Sequence, residues 1–222
     1  MTQSVLMLIL ITSILSFAVC GQTPPNKYEV KEVTEIVIPT RSPKSYFDEG
    51  MKYYKEGYYD EAVKVFSKLI KKHPNYIRAY FQRGSVYDDL GNYTLAIKDF
   101  TKVIEVNPKN VLALSLRGKC YFDQSDYPKS LKDYERAIQI NASYEPAVYT
   151  IGRIYQETAK HKKALTYFRR SLELDKRGGI YYSIGMSKKA LGDLTGACEA
   201  LKKGAEMGNA NAKEEWQIHC KK

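Results

Sequence analysis

The side chains of this chain that could bind a metal or move a proton are few and scattered. His73, His161 and His219 stand 88 and 58 residues apart, whereas a metal site needs ligands grouped at short spacings. The carboxylates come as adjacent pairs, Asp88-Asp89 and Glu214-Glu215. Neighbours on a helix point about 100° apart, so neither pair can serve as a matched acid and base. There is no glycine-rich phosphate loop and no nucleophile elbow. The sequence therefore implies no catalytic residue, no metal and no cofactor, and points to binding in place of catalysis.

The charge points to binding too. The 222 residues carry a formal charge of +10. Residues 145–177 hold eight basic and four acidic side chains, including Lys162-Lys163, Arg169-Arg170 and Lys176-Arg177. The segments 43–76, 77–110 and 111–144 each exceed neutrality by only one or two. A local excess of this kind attracts anionic polymers or membrane surfaces over long range, or it is simply a solvated helix face. Nucleic acid is not expected, because an exported chain rarely meets it.

Export is implied by the first residues. Val5 to Val19 form an apolar run broken only by Thr12, Ser13 and Ser16. Such a run is too short to span a bilayer, which takes roughly twenty residues, and matches the core of a signal peptide. Residues 1–21 are expected to be that signal, with cleavage after Gly21. Phe17-Ala18-Val19-Cys20 also resembles a lipobox, which would lipidate Cys20, although Val19 stands where Gly, Ala or Ser is usual. An uncleaved anchor is the third outcome. All three place the rest of the chain outside the cytoplasm, in the periplasm, at the cell surface or secreted, with no transmembrane segment in the mature chain. Residues 22–42, with three prolines, read as an extended linker.

The remainder is a repeat. Glycines recur at Gly50, Gly84, Gly118, Gly152 and Gly185, spaced by 34, 34, 34 and 33 residues. Tyr53, Tyr87, Tyr121 and Tyr155 follow the first four by three positions. Twelve positions after each glycine stands Ala62, Ala96, Ser130, Ala164 or Ala197, and sixteen after stands Phe66, Phe100, Tyr134, Phe168 or Leu201. Helices that pack closely need small facing residues, so the glycine and the residue twelve on are expected to meet. The aromatic sixteen on is expected to fill the gap between one hairpin and the next. Turns are expected at Gly57, Gly91, Ser125, Ala159 and Gly192. The fifth unit, opening on Gly178-Gly179, is expected to start its helix late.

This pattern resembles the tetratricopeptide repeat over residues 43 to 209, in units 43–76, 77–110, 111–144, 145–177 and 178–209, with a capping helix and tail at 210–222. The resemblance implies an all-α fold, a right-handed superhelical solenoid of helix-turn-helix hairpins. It also implies a non-enzymatic interaction scaffold that takes an extended peptide or protein segment on its concave face. Carried over position by position, that face comprises Phe47, Tyr54, Arg78, Phe81 and Lys119, then Phe122, Tyr149, Arg153 and Tyr182. Some of these aromatics could instead pack on the neighbouring helix. Relatives that clamp chaperone C-termini use Asn and Lys or Arg at inner positions where this chain has Met51, Gln82 and Leu112, so that ligand is not implied. The oligomeric state is left open.

Three cysteines remain if Cys20 leaves with the signal. Cys198 falls on the second helix of the fifth unit and Cys220 at the end of the cap, and an exported chain meets oxidising conditions. The segment resembles the terminal repeat of exported tetratricopeptide proteins from Gram-negative bacteria, which implies a Cys198–Cys220 disulfide. Two buried free thiols are the alternative. Cys120 reads as a small core residue. The export reading carries its own test: N-terminal sequencing of the mature protein from its host should begin near Cys20 or Gln22, and finding Met1 or Thr2 there overturns a cleaved signal.

Overall fold

The computed structural model describes residues 41–221. The expected signal, linker and lipidation residue Cys20 lie outside the described residues, apart from Arg41 and Ser42. Eleven helices and no strands occur among the described residues. They are α1 (Pro43–Lys55), α2 (Tyr59–Lys72), α3 (Ile77–Asp89), α4 (Tyr93–Val106), α5 (Val111–Asp123) and α6 (Tyr127–Ile140), followed by α7 (Glu145–Glu157), α8 (His161–Leu174), α9 (Gly178–Ala190), α10 (Leu194–Glu206) and α11 (Ala210–His219).

Local chemistry sets the ends of these helices. Ser42, Asn110, Asp126, Asp193 and Asn209 each accept a hydrogen bond from the backbone N–H three residues on, which satisfies an otherwise orphaned donor. Pro43, Pro128 and Pro146 occupy first-turn positions, where a missing N–H costs nothing. Between the two helices of each hairpin the chain reverses through one left-handed residue: Gly57, Gly91, Ser125, Ala159 and Gly192, with φ between 55° and 81°. Glycine adopts this conformation freely, whereas Ser125 and Ala159 carry the cost of a Cβ there.

Each hairpin closes on its glycine. Built onto Gly50, a Cβ would lie 2.6 Å from the Phe66 ring; on Gly152, 2.6 Å from Phe168; and on Gly185, 2.7 Å from Leu201. Gly84 and Gly118 stand 3.0 and 3.1 Å from Phe100 and Tyr134 by the same measure. The large residue sixteen positions on thus lies over the glycine of its own hairpin, and it also packs toward the next one: Phe66 clusters with Ala79 and Val86, Phe100 with Cys120, and Phe168 with Ile180 and Ile184. The small residue twelve on is buried in every unit, and in the third the Ser130 hydroxyl donates to the Gly118 carbonyl at 2.8 Å.

Consecutive helices pack against each other all along the chain. The first helices of successive hairpins also touch (α1 with α3, α3 with α5, α5 with α7, α7 with α9), while the second helices do not. That asymmetry bends the stack: first helices line the inner side, second helices splay on the outer side.

The fifth hairpin differs from expectation. Its first helix starts on schedule at Gly178, because the glycine is needed for close packing and does not break the helix. A Cβ on Gly178 would sit 2.9 Å from the Gly204 carbonyl oxygen and 2.9 Å from Asn209 Cβ; one on Gly204 would sit 2.8 Å from Ala212 Cβ. The cap α11 is therefore seated on α9 and α10 through three residues without side-chain bulk. Cys198 and Cys220 are joined as a disulfide, with Cα atoms 5.5 Å apart, and Lys189 pairs with Glu215 at 3.0 Å.

Two methyl groups test the hairpin geometry in opposite directions. Gly152→Ala should lower stability by about 1–3 kcal/mol, the usual cost of overpacking. Ala159→Gly should raise it by about 0.5–1 kcal/mol by relieving the left-handed turn. Denaturant unfolding measures both, and equal effects would contradict the packing described. Peptide mapping under non-reducing conditions should recover Cys198 linked to Cys220, and Cys220→Ser should cost on the order of 3 kcal/mol for a loop of this size.

Candidate functional site: the inner face

The residues assigned to the concave face are brought to one side of the stack, but most are engaged there. Phe47 requires a correction. It is 6% exposed, its ring 5.9 Å from Phe66 and 5.7 Å from Tyr76, with the Arg78 guanidinium 4.7 Å above it. A residue so covered is core and presents no anchor to a partner. The reason recurs along the stack. In the first, second and fourth hairpins the aromatic three before the glycine meets the aromatic sixteen after it, as in Phe81 on Phe100 at 5.8 Å and Tyr149 on Phe168 at 5.7 Å. Phe81 and Tyr149 keep half-exposed edges, as does Tyr182, whose hairpin carries Leu201 in place of a ring.

The polar inner residues are stitched to neighbouring repeats. The Tyr54 hydroxyl donates to Asp89 at 2.6 Å, and burial together with that carboxylate pushes its ionisation well above the ordinary tyrosine range. Lys119 bridges Asp88 at 2.8 Å and Asp123 at 3.0 Å. Burial works against its charge, but the two carboxylates outweigh it and hold the ammonium above the usual lysine range. Arg153 lies 4.6 Å above the Phe122 ring, which itself leans on Tyr127 at 5.6 Å. The Tyr149 hydroxyl shares a hydrogen bond with Ser183 at 3.1 Å, and Gln156 donates to the Ser183 carbonyl and to Ser187. Beside Asp88 the Cys120 thiol is buried, and desolvation and that carboxylate push it up to about 12, far from a reactive thiolate.

A cavity of about 190 Å³ opens at the junction of the second and third repeats, and another, of about 420 Å³, lies along α1 beside Met51 and Lys55. Ile77, Phe81 and Val103 form the apolar part of the former; Arg78, Gln82 and Asn110 supply donors and acceptors. Of the residues read from the sequence, Arg78 and Phe81 meet there.

A set of inter-repeat ties escaped sequence reading. Arg83 holds Asp99 through two bonds of 2.7 and 2.8 Å and reaches Ser67 of the preceding hairpin at 2.9 Å. Arg117 repeats this with Asp133, at 2.7 Å twice, and Thr101, at 3.0 Å. The signal was present as Arg directly before the repeat glycine with Asp fifteen residues after it. The fourth repeat has Ile151 and Tyr167 at those positions; within it Glu145 instead accepts from Ser171 and from Arg177, the residue that leads into α9.

Among the described residues no group of three or more His, Cys, Asp or Glu side chains is arranged to hold a metal, and no helix is long and apolar enough to cross a membrane.

Comparison with known proteins fits this architecture. Family models described as tetratricopeptide repeat match residues 77–110, 111–177 and 178–210, and one described as TPR repeat matches 50–91. No curated protein sequence matches the chain. Among solved structures, one of the MamA protein is 26% identical, with a TM-score of 0.70 over 78% of this chain and 95% of that one. MamA residues 41-end from Desulfovibrio magneticus RS-1 give 20% identity and 0.71 over 74% and 94%. YrrB, described as a TPR protein with an unusual peptide-binding site, gives 18% and 0.67 over 79% and 92%. At these identities the latter two show the fold alone. With family matches running unbroken from residue 50 to 210 over five stacked hairpins, the chain belongs to the tetratricopeptide-repeat family.

Proposed function

We propose that this protein is a non-enzymatic scaffold of the cell envelope that holds an extended protein segment against its inner face. The carrying observation is the cavity around Phe81. There an exposed cation, Arg78, two side-chain amides and an apolar floor converge, although Arg78 also covers the Phe47 ring and the Asn110 oxygen caps α5. An extended peptide presents backbone amides that Gln82 and Asn110 can pair with, and side chains or a terminal carboxylate that Phe81 and Arg78 can receive. YrrB, of the same fold, has a peptide-binding site by its description, which agrees with this reading. Delivery to the envelope rests on the signal-like residues 1–21.

A second reading places an anionic surface on the basic fourth repeat. Lys160, Lys162 and Arg169 stand exposed at and along α8. Its other cations are partly occupied: Arg170 donates to the Ala142 carbonyl at 2.8 Å, Lys163 lies 5.5 Å above the Tyr155 ring, and Arg177 pairs with Asp175 and Glu145.

Both readings meet one experiment in the native host. A photo-crosslinking residue at Gln82 should capture a defined envelope protein, and the same residue at Lys162 should not. With that partner in hand, Phe81→Ala should weaken binding by about 1–2 kcal/mol, as truncation of an anchor does. Tyr149→Ala should do the same if the segment runs on to the fourth repeat. Capture at Lys162 alone, or unchanged affinity for a folded Phe81→Ala protein, would discard the inner-face reading.

A further inference from the structure

The basic character of this chain is not confined to the fourth repeat. Two residues before and two after the buried ring position, a helix has turned by about 200° either way, so both places face directly away from the core. Eighteen positions after the repeat glycine, every one of the five units carries a cation: Lys68, Lys102, Arg136, Arg170 and Lys203. Fourteen positions after, the first three units carry Lys64, Lys98 and Lys132. One turn further, at twenty-two, stand Lys72 and then four aliphatic side chains. These are Val106, Ile140, Leu174 and Met207, exposed by 57, 38, 39 and 47%. The fifteen places thus hold nine cations, four large aliphatics, one threonine and a single carboxylate, Glu199. No aromatic ring is among them.

Few of these cations are neutralised. Lys102 pairs with Glu105 at 3.2 Å, and Lys64 stands 3.9 Å from Glu61. Lys98, Lys132, Arg136 and Lys203 make no ion pair among the described residues and are exposed. All lie on second helices, which splay outward without touching one another. The rows therefore form a broad, convex band edged by aliphatic side chains, basic on balance although the exposed Glu105, Glu173 and Glu206, seven residues beyond the fourteen-position row, share its face.

We infer that this outer band is a docking surface for an anionic lipid bilayer. The cations suit lipid phosphates, and the aliphatic row suits the boundary between headgroups and acyl chains. A nucleic acid would want stacking rings that the band lacks. A chain of phosphates or sugar acids has no use for Val106, Ile140, Leu174 and Met207. A cavity of about 510 Å³ does open between α2 and α4, but Arg83, Lys98, Asp99, Lys102 and Glu105 line it, so it offers the apolar face of a partner helix mostly charge. A second copy of the band would meet the first with like charge. The inference is independent of the inner-face reading, because the two surfaces lie on opposite sides of the hairpins.

The test uses the full chain carrying Ile140→Trp together with Trp216→Phe, so that the signal is local to the band whatever residues 1–40 contribute. On vesicles with roughly one-third phosphatidylglycerol, the added tryptophan emission should shift to the blue and be quenched by tail-brominated lipid. Neutral phosphatidylcholine vesicles, or about 0.5 M salt, should abolish both effects. Reversing Lys98, Lys102, Lys132 and Arg136 to Glu should weaken vesicle binding about tenfold or more, and changing them to Gln should give a smaller loss with the helical melt unchanged. No shift at position 140 on anionic vesicles overturns the inference, as does a shift that the Gln variant leaves intact. Tight binding of soluble polyphosphate without lipid quenching overturns it in favour of a polymer.

Discussion

A ring, or in the last hairpin a leucine, lies against the bare Cα of a glycine in each of the five hairpins, and the spacing of everything else follows from how close that contact is. With a Cβ on Gly50 or Gly152 the ring would be met at 2.6 Å, inside any real contact distance, so the two helices could not approach as they do. The same rings reach into the next hairpin, so the contact that closes one unit also seats its neighbour. In the first, second and fourth hairpins an aromatic three residues before the glycine packs on the same ring. That arrangement removes Phe47 from the inner surface and leaves Phe81 and Tyr149 only their edges.

Stacking is governed by polar ties. Arg83 and Arg117 each hold an aspartate of their own hairpin with both nitrogens of a fork and send a third donor to a hydroxyl in the hairpin before. Such nearly buried pairs add little net stability, since desolvating both charges offsets most of their attraction. Their effect is positional. An arginine that must satisfy a carboxylate below and a hydroxyl beside it accepts one register between neighbouring hairpins, where apolar packing alone would accept several.

Much of this was legible in the sequence, and the failures have physical causes. Helices and turns could be placed because glycine, alanine and a ring recur at fixed intervals, and even Ser125 and Ala159 could be named as turns by position alone. The direction of a side chain followed from its register, but its occupancy did not. Register aims Tyr54 and Lys119 inward; only coordinates show Asp89 and Asp88 already waiting for them. Gly178-Gly179 reads in one dimension as a helix breaker, yet in three it is the space that lets Gly204 and the cap come close. The basic rows were hidden for a similar reason: counting charge by segment dilutes a cation that recurs once per repeat, while stacking lines those cations up.

The covalent link at the last hairpin has a mechanical consequence. A linear stack comes apart from its ends, because terminal units have a single neighbour. Here one end is sealed: Cys198 and Cys220 tie α10 to the tip of α11. At the other, α1 rests on α2 and α3 with no such tie among the described residues. Tension along the chain would therefore peel the solenoid in one direction, from α1 toward the fifth hairpin, like a zipper with its far stop sewn shut. Any load reaching the protein through the residues before Pro43 acts on the end that opens, and the hairpin it reaches last is the one least able to unfold.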